Sequence, residues 1–142
     1  MRSVAPRCHD RRMIESVDIT EIRRPSGWSP IRRELGVQAF GINAWHGESG
    51  KVLVGEHDET QSGHEELYVV TAGAAAFSVD GEEVTATPGV VVFVRDPASK
   101  RSAVATEDGT TVVSIGGKWL FNQLDSKFFQ RRDRFSIMRR GP

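Results

Sequence analysis

The chain is poor in cysteine and has no long apolar segment. Its 142 residues include one cysteine, Cys8, so no disulfide bond can form within the chain. Low cysteine usage is typical of proteins in a reducing compartment, and we therefore expect a cytoplasmic location. No run of about 18 apolar residues is present, so no membrane span is predicted. The basic first residues are not followed by the apolar segment of a signal peptide, and we expect no secretory leader.

Length and charge indicate one globular domain with basic ends. A hydrophobic content of 38% and a charged content of 27% suit one domain with a modest core. The net charge is +3 over residues 1–35, −8 over 36–117 and +5 over 118–142. Such basic arms could pack on the acidic body of the same or a second subunit, or bind nucleic acid. Because the arms contain no recognisable nucleic-acid-binding module, we favour packing and predict a homodimer without a nucleic-acid or membrane partner.

Short β-type runs separated by turn signals dominate the middle of the chain. Strands are predicted over residues 39–44, 51–57, 65–71, 74–79, 82–86, 90–94, 102–106 and 111–115. Asp80-Gly81, between two such runs, is a two-residue hairpin signal. No helical segment interrupts the series, which predicts an all-β antiparallel sandwich or barrel over residues 37–117.

The segment before this region is predicted to be an arm over residues 1–36. Val17–Ile22 alternates like a strand. Ser29 and Pro30 then suit the cap and the first position of a short helix over IRREL, and Gly36 suits its end.

The segment after this region is predicted to be a basic tail over residues 118–142. Its apolar side chains approach a helical stripe, which predicts a C-terminal helix that covers a barrel face of its own or a second subunit. Membrane association is the less favoured alternative. The stripe contains Leu120, Leu124, Phe128, Arg132 and Phe135.

The run HEELYVVTAGAAAFSVDGEEVTATPGVVVFVRDPASKRSAVA, from His64 to Ala105, resembles the cupin superfamily. Cupins have a glutamate seven residues before a glycine that opens a tight hairpin, as Glu66 and Gly73 do here. A further glycine and a Pro-Gly pair follow, as do Gly81 and the pair at residues 88–89. The resemblance covers about residues 39–117 and implies a double-stranded β-helix, or jelly-roll, barrel with a central pocket.

The metal ligands of the family are only partly present. Metal-dependent cupins have His-x-His shortly before the glutamate and another histidine in a second motif. If the loop TQSG is an insertion, His57 and Glu59 take the His-x-His positions beside Glu66. Ser102 stands at the second-motif histidine, next to Arg101. The resemblance thus leaves His57, Glu59 and Glu66 as ligands of a divalent ion such as Mn, Fe or Ni, but favours a site with no cofactor.

A site without metal would use other side chains. Alternation places His64, Glu66 and Tyr68 on one strand face, where His64 could act as a general base and Tyr68 could polarise a carbonyl. Arg95 and Arg101, in the segment RDPASKR at the expected barrel mouth, could bind a carboxylate or phosphate group. Surface ion pairs are the alternative for both arginines.

Two functions remain open from the sequence. The favoured one is a cupin-domain protein that binds a small polar or acidic molecule, with Glu66, Arg95 and Arg101 as ligand contacts. The alternative is a metal-dependent dioxygenase, isomerase or lyase that uses His57, Glu59 and Glu66. The barrel hosts many unrelated chemistries, so the fold does not decide whether the protein is an enzyme.

Overall fold

A computed structural model describes residues 14–118 of the chain, and these residues form nine strands and one short helix. The order is β1 (Trp28–Ser29), α1 (Ile31–Leu35), β2 (Gly41–Gly47), β3 (Val52–His57), β4 (Glu65–Ala72), β5 (Ala75–Val79), β6 (Glu82–Ala86), β7 (Val91–Val94), β8 (Arg101–Ala105) and β9 (Thr110–Gly117). The eight strands predicted from the sequence correspond to β2–β9, with ends that differ by up to three residues. The predicted C-terminal helix lies outside the described residues.

The strands form two antiparallel sheets. The larger sheet has the order β1-β2-β9-β4-β7, and the smaller one has the order β3-β8-β5-β6. All neighbours in these orders pair antiparallel, and the chain passes repeatedly from one sheet to the other. This is a jelly-roll arrangement, and the all-β cupin-type fold implied by the sequence is confirmed.

The core lies between the two sheets because the strands present alternate side chains to it. On β8, Arg101, Ala103 and Ala105 are buried, whereas Ser102 and Val104 between them are only half-buried. On β4, Tyr68 and Val70 are fully buried. The remaining core is built from small and β-branched residues, which suit the pleated surface. Its other members include Leu53, Val54, Ala75, Phe77, Ala86, Val92, Val94 and Val112.

Tight turns at glycine fix the register of the smaller sheet. Val79 pairs with Glu82, and the connecting Asp80 and Gly81 have φ of 48° and 85°. Both values suit the predicted two-residue hairpin, which is therefore confirmed.

Gly73, between β4 and β5, has a φ of 70° and lies against Thr110. A Cβ at this position would overlap the threonine hydroxyl and lie 2.6 Å from the threonine Cα. The glycine is therefore required both by backbone conformation and by space.

The N-terminal segment differs from its prediction in two places. Val17–Ile22 was expected to be a strand, but residues 19–22 form a turn. Asp18 causes the difference, because its carboxylate accepts from the Thr20 N–H at 2.8 Å and its carbonyl accepts from the Glu21 N–H at 3.1 Å. Such side-chain bonds offer the backbone an alternative to a sheet ladder.

The short helix has the predicted length, but its start differs. Ser29 does not cap the helix; it lies in β1, and its hydroxyl donates to the Ile19 carbonyl at 2.7 Å. Pro30 takes the cap position, with no side-chain cap bond. Gly36 ends the helix in the left-handed conformation, at φ 64°, as predicted. Within residues 14–118 there is no helix long and apolar enough to cross a membrane.

Candidate functional site

A cavity opens between the two sheets near one end of the barrel. Its volume is about 370 Å³. Its lining combines apolar side chains with two carboxylates, an imidazole and a phenol. Such a mixture lets a pocket bind a small molecule while a few polar groups fix its orientation. The lining residues are Asn43 and Trp45 from β2, Leu53, Val54, Gly55 and His57 from β3, Glu59 from the loop after β3, Glu66 and Tyr68 from β4, and Ser114 from β9.

Three potential metal ligands converge at the polar end of this cavity. His57 ends β3, Glu59 follows it in the next loop, and Glu66 lies on β4. His57 Nε2 is 3.2 Å from Glu59 Oε1 and 3.8 Å from Glu66 Oε2. One ligand atom from each residue lies within 4.8 Å of the other two. The three residues that the sequence offered as ligands are therefore brought together by the fold.

A backbone hydrogen bond orients the imidazole of His57. Its Nδ1 lies 2.8 Å from the Gly55 carbonyl, which can only accept a hydrogen bond. Nδ1 must therefore carry the proton, and Nε2 points towards the two carboxylates. A histidine that ligates a metal through one ring nitrogen usually donates the other N–H to a carbonyl or carboxylate, as here.

The loop after β3 holds Glu59 in place. The Asp58 carboxylate accepts from both the hydroxyl and the N–H of Thr60. The bond from the Thr60 hydroxyl, and to a smaller extent the bond from its N–H, lowers the pKa of Asp58. The Glu59 N–H donates to Pro97 O at 2.7 Å, and its Oε2 accepts from the Ser62 hydroxyl. Glu59 Oε1 is left facing His57, so the sequence TQSG forms a turn that supports the glutamate.

Glu66 is the most buried of the three and has two further partners. The Tyr68 hydroxyl donates to Glu66 Oε2 at 2.5 Å, and Arg101 Nε lies 3.4 Å from the same oxygen. Burial, followed by this hydrogen bond to Glu66, raises the pKa of Tyr68 well above its usual value. The phenol is therefore a neutral donor across the physiological range.

Arg101 lies inside the barrel and not at its mouth. The residue is 1% exposed and is paired on β8 with His57 of β3 and Val79 of β5. Its Nη2 is 3.4 Å from the Asp96 carbonyl, while Nε and Nη1 are buried without a hydrogen-bond partner among residues 14–118. Ser102, at the expected histidine position, faces the other side of the strand. The inward position in this motif is therefore occupied by the guanidinium of Arg101, which stays positively charged.

The other residues named from the sequence lie apart from this cluster. His64 precedes β4, is half-buried and does not line the cavity. Arg95 is exposed, and its guanidinium lies 4.8 Å from the centre of the Phe93 ring, away from the cavity lining. Two further residues, Asn43 and Ser114, line the cavity but were not identified from the sequence. Asn43 could have been found from the alternation of β2, because residues two apart on a strand share a face and the aromatic Trp45 is itself a candidate pocket residue.

The donor set fits one divalent cation. Ligands at about 2.0–2.3 Å from a common ion lie roughly 3.0–3.5 Å from one another at tetrahedral or adjacent octahedral positions. The observed 3.2 Å and 3.8 Å separations from His57 Nε2 need only small side-chain shifts to satisfy this requirement. One imidazole and two carboxylates would suit Mn, Fe or Ni.

Comparison with known proteins extends to the fold alone. No family profile matches the sequence, and no curated protein is significantly similar to it. Solved structures are similar in fold: a cupin protein from Bacteroides fragilis (TM-score 0.62, 16% identity, 80% of this chain and 93% of that chain) and a protein with a double-stranded β-helix domain from Klebsiella pneumoniae (0.61, 17%, 73% and 90%). A sugar phosphate isomerase of the cupin superfamily from Silicibacter pomeroyi is also similar (0.55, 20%, 66% and 60%).

Proposed function

Because the chain has the cupin fold, we propose that its pocket binds one divalent cation through His57, Glu59 and Glu66 and takes a small polar or acidic molecule beside it. One observation carries the proposal: three donor atoms lie within 4.8 Å of one another at the polar end of the cavity. The sequence alone favoured a site without a cofactor. The closeness of the donors and the oriented imidazole lead us to favour the metal.

The charge of the site supports an acidic ligand. Two carboxylates offset the charge of a divalent cation, and a neutral His57 adds none. The guanidinium of Arg101, 3.4 Å from Glu66, then leaves the loaded site with a net positive charge. In a cavity partly shielded from water, this charge attracts a small anion such as a carboxylate more strongly than it would in bulk solvent.

The residues around the cation would shape and orient the ligand. Asn43 and Ser114 offer an amide and a hydroxyl, while Leu53 and Trp45 offer apolar contacts. A bound cation would supply Lewis acidity to a ligand oxygen. The chain's own contribution is to hold Glu66 through Tyr68 and to present these polar groups to the ligand. This arrangement is compatible with the dioxygenase, isomerase or lyase class and with simple binding.

Metal content tests the proposal directly. The wild-type protein, purified without chelators, should contain about one Mn, Fe or Ni ion per chain, or bind Mn²⁺ in titration after metal removal. His57→Ala should reduce the affinity for Mn²⁺ by at least about tenfold. His64→Ala is the matched control, since this histidine lies outside the cavity, and it should bind as the wild type does. A folded wild-type protein that contains none of these metals as purified and binds none of Mn²⁺, Fe²⁺ and Ni²⁺ in titration would refute the proposal.

A second candidate is a binding pocket that uses no metal. Its support is that Tyr68 and Arg101 already engage Glu66 Oε2, the oxygen nearest to His57. His57 would then contact Glu59 and Glu66 directly, and a polar ligand would bind to these groups. Under this alternative, neither His57→Ala nor His64→Ala changes the metal content, whereas His57→Ala removes these contacts and lowers the urea midpoint.

A further inference from the structure

An apolar patch covers part of the outer face of the larger sheet, on the side away from the cavity. Leu67 of β4 pairs with Phe93 of β7 on one side and with Ile115 of β9 on the other. Phe40 borders the same row, next to Gly117. We call the surface formed by Phe40, Leu67, Phe93 and Ile115 the outer patch. It forms a groove of about 370 Å³.

The outer patch is unusually apolar for a surface. Leu67, Phe93 and Phe40 are 36%, 42% and 44% exposed, and Val91, one residue row away on β7, is 52% exposed. Large exposed apolar patches on soluble domains usually mark an interaction surface. The opposite face of the same strands is already occupied by the core, so a second layer must come from elsewhere in the chain or from a partner.

The chain itself supplies a matching segment that begins at the edge of the groove. Lys118 is part of the groove wall, and residues 119–129, WLFNQLDSKFF, follow it directly. Neighbouring strands are about 4.8 Å apart, so the distance from β9 across β4 to β7 is roughly 10 Å. About three extended residues, or two helical turns, cover this distance. Eleven residues are therefore enough to cross the patch in either conformation.

Charge supports the same pairing at the two ends of the segment. Residues 119–129 are themselves net neutral, but Lys118 precedes them and residues 130–142 carry a net charge of +4, whereas residues 36–117 carry −8. Glu65, exposed on β4, lies in the groove lining and offers a carboxylate to the basic tail. We propose that residues 119–129 of the same chain dock on the outer patch and form its missing outer layer. The outer patch and the cavity lie on opposite faces of β4, and Glu66 lines both the groove and the cavity.

Thiol accessibility in the full-length chain tests the docking. In a Cys8→Ser background, Leu67→Cys places a single thiol in the outer patch. We expect its reaction with a soluble thiol reagent to be about tenfold slower than that of Val84→Cys, which corresponds to about 1.4 kcal/mol of protection. Val84 is the control because it is 48% exposed on β6, in the other sheet. Adding Leu120→Asp and Leu124→Asp should remove the protection of Leu67→Cys and leave the Val84→Cys rate unchanged.

A dilution series separates the tail from a second copy. Docking within one chain predicts protection that is independent of protein concentration. Protection that falls on dilution, together with the loss of a dimer in sedimentation, would overturn the proposal and assign the outer patch to a partner subunit. Fast reaction of Leu67→Cys in the chain with an unaltered tail would also overturn it. Neither outcome affects the Mn²⁺ test of the cavity, so the two proposals fail separately.

Discussion

Replacing Tyr68 by phenylalanine removes one oxygen atom from the centre of the candidate site. The side chain is 1% exposed, and its hydroxyl donates to Glu66 Oε2 at 2.5 Å. The ring should remain in place, because it packs against Phe77 with the ring centres 5.4 Å apart. A hydrogen bond to a charged group contributes about 1.5–3 kcal/mol, so we expect Tyr68→Phe to lower the free energy of unfolding by about 2 kcal/mol.

Urea unfolding measures this loss. With a dependence of about 2 kcal/mol per molar urea, the midpoint should fall by about 1 M with an unchanged slope. Thr71→Val is the matched control, since it also removes a hydroxyl, but one on an exposed residue with a long 3.4 Å bond to the Thr111 carbonyl. The control should change the free energy by less than about 0.5 kcal/mol. Equal effects of the two substitutions would refute the special role of the Tyr68 hydroxyl.

A double-mutant cycle assigns the effect to the pair. Glu66→Gln keeps an acceptor oxygen but removes the charge, so the bond from the Tyr68 hydroxyl becomes a neutral one that contributes about 1 kcal/mol. Tyr68→Phe should therefore cost roughly half as much when Glu66→Gln is present. Additive costs would mean that the hydroxyl stabilises the barrel through some contact other than the Glu66 carboxylate.

Three further predictions concern ionisation and turn geometry. Tyr68 is the chain's single tyrosine, and burial raises its pKa, so phenolate absorbance should appear only as the protein unfolds above pH ~10, where stability falls with rising pH. The pKa of Asp58 is lowered, chiefly by the Thr60 hydroxyl, so Asp58→Ala should lower the urea midpoint at neutral pH, and the difference from wild type should shrink as the pH falls below ~3.8. Gly73→Ala should lower the free energy of unfolding in urea by at least about 3 kcal/mol, because the new methyl group would overlap Thr110 and the residue has a φ of 70°. Gly109→Ala is the control, since it has a similar φ of 68° but no atom near the new methyl group, and it should cost about 1–2 kcal/mol.

The barrel strands were predictable because two independent signals coincide along the sequence. Alternating side chains mark each strand, and turn residues such as Asp80-Gly81 mark where it ends. The signal is weaker at the N-terminus. Val17–Ile22 has the alternation of a strand, but Asp18 bonds to the following backbone and forms a turn. A side-chain hydrogen bond of this kind competes locally with sheet pairing, and alternation alone does not reveal it.

The candidate site was predictable where its residues follow one another along the chain. His57, Glu59 and Glu66 lie within ten residues, so a strand, a turn and the next strand are enough to bring them together. Asn43 and Ser114 are separated by about seventy residues and meet only because β2 pairs with β9 at that register. Contacts of this range depend on the sheet order, which a single sequence does not specify.

Arg101 illustrates how one residue of register changes the chemistry of a pocket. A shift by one position along a strand moves a side chain to the opposite face, so the motif position at Ser102 and the inward position at Arg101 have different consequences. If Ser102 faced inward, the pocket would have a small neutral hydroxyl where metal-dependent cupins have a histidine ligand. With Arg101 inward and 1% exposed, it gains a permanent cation whose Nε is 3.4 Å from Glu66. A histidine there would add a metal ligand, whereas the arginine adds positive charge beside the proposed site, which would disfavour a cation and favour an anionic ligand.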